Sequence, residues 1–292
     1  MNAHSLFAIC TLIWGSTWLV ITFQLGVVAP EASVAYRFGL AAVLIALWCV
    51  VTRRSLVFPL RAHVWFVVQG ATFFGLNYVG VYLAERHITS GLVAVVFSTI
   101  VFMSPFFARI AFNIPIRTQT TLGALIGVAG VMLMFVPESG AQQHGSTAVG
   151  IAYAFGSTAI AAIGNLASMR VQREGWPLIA STAWGMAYGA LIVALFATLQ
   201  GTQWTFDASA SYVVSLAYLA VFGSVVAFIA YLELLRKVGP GPSSFVGVST
   251  PVIAMLLSTL FEGYRWSALA ALGVALAVAG NVIALRPAAL RT

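Results

Sequence analysis

Residues 11–22 read TLIWGSTWLVIT and residues 152–163 read AYAFGSTAIAAI, so that Trp14-Gly15-Ser16-Thr17 returns 141 positions later as Phe155-Gly156-Ser157-Thr158. Each copy lies in an apolar run long enough to cross the roughly 30 Å hydrocarbon core of a bilayer, which takes about 20 residues of helix. The echo continues in order along the chain. Ser98-Thr99 returns as Ser249-Thr250, Gly123 and Gly130 as Gly273 and Gly280, and Pro137 as Pro287, now 150 or 151 positions on. The drift requires about ten inserted residues in the second copy, and the order of the matches points to an internal duplication.

Working outward, ten apolar runs fill the 292 residues: 6–25, 33–51, 64–84, 90–112, 120–136, 149–169, 178–199, 210–235, 243–260 and 267–285. They are numbered spans 1 to 10. Of all residues 61% are hydrophobic and only 7% charged, against roughly 25% charged in soluble domains. The runs are continuous instead of alternating, which implies helices and not a barrel. The expected fold is therefore all-α, ten transmembrane helices arranged as two inverted five-helix repeats, 1–137 and 138–292. Inversion follows because five is odd, so the second copy enters the bilayer from the opposite side.

The formal charge of +7 is spread singly or in pairs between apolar runs, a pattern of topology signals that argues against nucleic acid as a partner. Arg53, Arg54, Arg61, Arg109, Arg117, Arg170, Arg173, Arg236, Lys237, Arg286 and Arg291 occupy one set of alternate loops and the C-terminal tail; only Arg86 and Arg265 occupy the other set. The positive-inside rule then places both termini in the cytoplasm. Five of the seven acids, Glu31, Glu85, Glu138, Asp207 and Glu262, fall on the opposite side. Cys10 and Cys49 sit inside spans 1 and 2 as small hydrophobes. The first run lacks a Lys/Arg-rich start and leads directly into further spans, so it is read as a retained helix and not a signal peptide.

These residues resemble the drug/metabolite transporter superfamily in its ten-helix EamA-type branch. Trp14-Gly15-Ser16 in span 1, Arg37-Phe38 after Pro30 in span 2, and Phe261-Glu262-Gly263 before a Gly-rich span 10 carry the likeness over nearly the whole chain. One departure is that the first half reads Phe112-Asn113-Ile114 where the second has the acid Glu262. The resemblance implies a secondary transporter of a bacterial inner membrane, with alternating access through a cavity between the repeats. Within the branch the chain looks most like the YddG-type exporters of aromatic and other hydrophobic amino acids. Relatives that move other metabolites or drugs remain an alternative, and a lipid-handling or structural membrane protein is a more distant one.

A carrier needs a pocket near the midplane, and interrupted helices at equivalent places in the two halves point to it. Pro105 in span 4 and Pro251 in span 9 each remove a backbone hydrogen bond, and Gly75 and Gly223 lie inside spans 3 and 8; these four are the candidate hinges. Positions three or four apart share a helix face, which aligns Gly75, Tyr78 and Tyr82 on span 3, with Asn77 beside Tyr78. Tyr231 follows Tyr82 by 149 positions and is its candidate symmetry mate. Trp14 and Trp18 on span 1, Asn165 on span 6 and Ser244 on span 9 complete the candidate substrate-binding set. The rings can stack on an apolar side chain, and Asn77, Tyr78 and Ser244 can hydrogen-bond a zwitterionic head. The same aromatics could instead anchor at the interface, and the Ser and Asn could join helices.

Arg37 lies a few residues inside span 2, where a charge must be paired or wet. It could attract a carboxylate, but a structural role is preferred here, either snorkelling to the interface or pairing with Glu31. Glu233 and Arg236 read as an ordinary helix-end pair in preference to a gate. The small residues of spans 5 and 10 (Gly123, Gly127, Gly273, Ala277, Gly280) serve close packing, between the halves or between two protomers of a homodimer. No cofactor or metal is implied. The sequence has no phosphate-binding loop, no His-Glu-x-x-His and no Gly-x-Ser-x-Gly, which argues against ATP hydrolysis and against an intramembrane enzyme. His4, His63, His87 and His144 all fall near span ends or in loops, so a facilitator or exchanger without an essential internal acid is expected.

Overall fold

The computed structural model describes residues 1–135, 147–238 and 240–285. All regular structure among the described residues is helical, in ten segments: α1 (Ala3–Thr22), α2 (Pro30–Val51), α3 (Leu60–Glu85), α4 (Ser90–Phe112), α5 (Thr118–Phe135), α6 (Thr147–Arg173), α7 (Leu178–Leu199), α8 (Ala210–Val238), α9 (Pro240–Phe261) and α10 (Ala268–Leu285). Nine of them are long and apolar enough to cross a membrane, and α5 is a shorter apolar helix. The expected boundary at 137/138 and the Pro137–Pro287 match lie outside the described residues, as do Glu138, His144, Arg286 and Arg291.

Local chemistry sets several of the helix starts. Asn2 caps α1 by accepting from Ser5 N at 2.8 Å. Pro30 opens α2 at the first helical position, where a missing N–H costs nothing. Ser209 caps α8 through Tyr212 N. The start of α4 is capped from the other half of the chain, because Glu262 accepts from Ser90 N at 3.1 Å and from Ser90 Oγ at 2.5 Å. A carboxylate at a helix N-terminus also faces the positive end of the helix dipole.

The two halves interleave. α1 packs against α8 and α9, and α6 packs against α3 and α4; α2 lies on α7, and α5 on α10. Adding five to each helix number maps this pattern onto itself. The α5–α10 seam is the tightest: a Cβ on Gly280 would stand 2.5 Å from Gly123 O and 2.6 Å from Gly127 N, and one on Gly130 would stand 2.6 Å from Ala277 N. Small residues let two backbones approach this closely in lipid, where dispersion replaces the hydrophobic effect as the driving force. These faces are therefore spent within one chain, joining its halves.

Among the described residues two helices include π-helical turns, and they do so in corresponding places. Residues Gly70–Leu76 of α3 and Leu219–Val226 of α8 form π-helical turns, an irregularity that concentrates at functional sites. In α3 the wide turn lies against α7, where a Cβ on Gly70 would meet Gly185 O at 2.6 Å. In α8, Ser224 Oγ returns to Leu219 O, five residues back, at 3.0 Å. The interruption expected in spans 4 and 9 is found differently. α4 breaks at Ser98–Thr99, whose hydroxyls donate to Val95 O and Val96 O at 2.7 Å. Pro105 sits further on, inside the second piece. α9 runs unbroken through Pro251, with Thr250 Oγ1 donating to Val246 O at 2.8 Å.

The seam makes a direct prediction. Gly280→Leu overpacks it at a cost of about 1–3 kcal/mol, lowering the thermal midpoint in detergent by on the order of 5 °C. Gly39→Ala, whose added carbon would meet only Ala190 at 3.9 Å, leaves the midpoint unchanged or raises it.

Candidate functional site

The α3 π-turn meets α8 just beyond that helix's own π-turn, where Phe74 lies against Phe228. Widening a helix frees a carbonyl from its usual partner, and Gly223 O is taken by the indole Nε1 of Trp14 at 3.1 Å. Trp14 also contacts Phe228, at 5.3 Å between ring centroids, and Tyr231, at 5.2 Å. From there the rings continue without a gap: Phe228 to Phe74 at 5.7 Å, Phe74 to Phe38 at 5.7 Å, and Phe38 to Tyr78 at 4.7 Å. Phe73 flanks the file, 5.1 Å from Phe74 and 6.5 Å from Phe228. Tyr231, Trp14, Phe228, Phe74, Phe38 and Tyr78 thus make one aromatic file contributed by α1, α2, α3 and α8. Such contacts are worth about 0.5–1.5 kcal/mol each beyond the area they bury.

Arg37 closes the file at the Tyr78 end. Its residue exposure is 1%, and its guanidinium carbon lies 4.7 Å from the Tyr78 ring centre and 5.0 Å from that of Phe38. Nε donates to Ser224 Oγ of the α8 π-turn at 3.4 Å. This corrects both structural expectations for Arg37. The side chain does not snorkel, because it is sealed inside, and Glu31 forms no ion pair among the described residues. Position along the helix suggested proximity to the interface, but the guanidinium turns inward over Tyr78.

The other expected residues divide by their surroundings. Asn77 is 1% exposed, and its Oδ1 has no hydrogen-bond partner. Tyr82 is wholly buried and donates to Gln24 Oε1 at 2.7 Å, a bond that fixes the turn after α1 to α3. Trp18 packs on Phe97 at 5.3 Å. Asn165 Nδ2 donates to Ser104 Oγ at 3.0 Å, joining α6 to α4 one residue before Pro105. Ser244 is half-buried on α9. The structure thus brings Trp14, Tyr231 and Gly223 together directly. Tyr78 and Gly75 lie on the other flank, Tyr82 also reaches Arg37, and Trp18 and Asn165 make separate contacts.

Two features had no clear sequence signal. Phe38, Phe74 and Phe228 are ordinary apolar residues in apolar helices until the rings are seen to touch. Glu85, expected in a loop, closes α3 in a buried position with both carboxylate oxygens unpartnered. By contrast, Glu233 and Arg236 are an exposed i,i+3 pair at 2.7 Å within α8, as expected of a helix end. Clefts also open at the two ends of the bundle. One of about 340 Å³ is lined by Leu25, Glu31, Leu83, Arg86 and Thr205 among others. Another of about 730 Å³ lies between α2, α7 and α8 beside Trp48, Arg54, Leu232 and Arg236. Among the described residues no cluster of His, Cys, Asp and Glu could hold a metal ion.

Comparison with known proteins adds an independent line. The EamA-like transporter family profile matches residues 1–136 and again 148–286. The "Uncharacterized inner membrane transporter YedA" of Escherichia coli K12 is 29% identical over 253 residues, 86% of this chain and 80% of that protein. "Protein PagO" of Salmonella typhimurium LT2 is 22% identical over 268 residues, 90% of this chain and 86% of its own length. The "Uncharacterized transporter YoaV" of Bacillus subtilis 168 is 22% identical, covering 86% and 85%. A crystal structure of another protein superimposes with a TM-score of 0.68 at 21% identity, over 97% of this chain and 96% of that one, a likeness of fold.

The Tyr82–Gln24 bond sets an expectation for stability. Tyr82→Phe removes a buried donor and leaves Gln24 Oε1 unsatisfied, at a cost of about 1–3 kcal/mol. A lowered melting midpoint in detergent checks this, and an unchanged midpoint contradicts it.

Proposed function

The chain belongs to the EamA-like transporter family, and from that premise we propose that it is a secondary transporter that exports aromatic and other hydrophobic amino acids across the bacterial inner membrane. The aromatic file from Tyr231 to Tyr78 carries this reading. A side chain that is apolar or aromatic finds ring faces to stack on along the whole file, while the unpaired Asn77 Oδ1 suits an ammonium donor. Trp14, Trp18, Tyr231, Ser244 and Asn165 are read as further lining, and Tyr82 as support for its neighbour Tyr78.

The halves 1–137 and 138–292 are read as inverted repeats, with both termini cytoplasmic on the basic face of the bundle. The interior between them then opens to one compartment at a time. The π-turns of α3 and α8 and the break at Ser98–Thr99 are the places where a helix can bend without stripping new backbone groups of partners. Pro105, Pro251, Gly75 and Gly223 assist as points of reduced backbone constraint. Solute gradients drive the cycle. The buried, unpartnered Glu85 favours a second reading of the energetics, in which a proton accompanies the solute.

Two measurements test this. Tyr78→Ala cuts phenylalanine flux in proteoliposomes by about tenfold, on the order of the loss of one stacking and cation–π partner, without lowering insertion; unchanged flux contradicts the site. With amino acid equal on both sides, an imposed pH gradient drives no net movement if solute gradients alone supply the energy, and drives uptake if Glu85 carries a coupled proton.

A further inference from the structure

Arg37 carries a positive charge that makes no ion pair among the described residues. The ion pairs among the described residues, Arg170–Glu174, Arg236–Glu233 and Lys237–Glu233, all lie elsewhere. Glu85 senses Arg37 electrostatically, yet among the described residues no acid oxygen comes within 4.0 Å of the guanidinium. The interior supplies the flat faces of Tyr78 and Phe38, one long bond to Ser224 and a contact with the Tyr82 hydroxyl. Nη1 is buried with no acceptor at all.

A guanidinium kept for architecture takes its acceptors from the protein, because buried polar groups are almost always satisfied. Here a planar fork of donors, sealed from lipid and water, is left one acceptor short. Gly223 lacks the Cβ that would stand 3.4 Å from Nη2 and 2.8 Å from Thr17 Cγ2, so the α8 π-turn can lie close against the guanidinium. The fork matches the two oxygens of a carboxylate, and it sits at the end of the aromatic file, where a solute lying along the rings would place its acid group.

We propose that Arg37 is the anion subsite of the carrier, binding the carboxylate of the transported solute while the rings from Tyr78 to Tyr231 hold its apolar end. This rests on the transporter reading and narrows it to solutes that bear an acid group. Ser224 acts as a positioning residue, holding Nε so that the outer edge of the fork faces the solute. The subsite also accounts for the empty Nη1, since its acceptor arrives with the cargo.

Counterflow of labelled phenylalanine into proteoliposomes of the full chain, challenged with matched pairs, tests the proposal. The pairs are phenylalanine against phenylalaninamide, and 3-phenylpropionate against 3-phenylpropionamide. Each carboxylate competes at least about tenfold better than its amide, the discrimination expected of a charge-assisted hydrogen-bonded contact. Arg37→Gln brings that ratio to about one, and Ser224→Ala, which keeps the charge, lowers it by a smaller factor. Equal competition by acid and amide in the unaltered protein overturns the anion subsite while leaving the aromatic reading intact, and needs no variant that must fold. Failure of both members of both pairs to compete overturns the subsite and the amino-acid reading together. An Arg37→Gln protein that still transports and still prefers the acid also overturns the subsite.

Discussion

In a hydrocarbon layer every backbone N–H and C=O must find a partner inside the protein, because there is no water to supply one. That constraint governs where this bundle can be irregular. Its two π-turns and the break in α4 each free backbone groups, and each lies where the protein interior can answer. Gly223 O is taken by Trp14, the Ser98 and Thr99 hydroxyls turn back onto their own helix, and the α3 π-turn packs on the glycines of α7. The α5–α10 seam joins the halves at one side, apart from the helices that carry the π-turns. The closest packing and the irregular turns thus fall on different helices.

The same constraint shapes the chemistry of the interior. A file of rings offers mostly apolar faces, so the few polar groups beside it stand out. Arg37 and Ser224 meet at the Tyr78 end, with Asn77 the chain neighbour of Tyr78, and Trp14 and Tyr231 mark the other. Arg37 is the costliest of these, a charge deep in a low-dielectric setting, held by π faces where other buried arginines have carboxylates. Glu85 and Glu262 lie toward the same end of the bundle, the latter spent on capping α4.

Much of this was legible in the chain itself. Ten apolar runs predicted the ten helices to within a few residues, because hydrophobic length is dictated by the bilayer and not by tertiary detail; α6 is the main excess, extending through Arg173. The Gly123/Gly280 spacing foretold close packing, although only contact could show that the partners are the two halves of one chain. Gly75 and Gly223 marked the helices that depart from α geometry. Pro251 does not interrupt its helix, since a proline can be accommodated in a membrane helix without breaking it. Arg37 misled for a different reason: its depth along α2 was readable, but the direction of a long side chain is set by the rings that receive it, and Phe38, Phe74 and Phe228 have no periodicity that distinguishes them from packing residues.

The central claim is that the space between the two π-turns is the solute's path. Substrate protection of a single cysteine there tests it most directly. In a Cys10→Ser, Cys49→Ser background, Phe228→Cys is exposed in proteoliposomes to a membrane-impermeant thiol reagent with and without phenylalanine. The account predicts that the thiol is modified and that phenylalanine slows the reaction. A thiol that reacts at the same rate with and without phenylalanine, or that the reagent never reaches from either side, would contradict it.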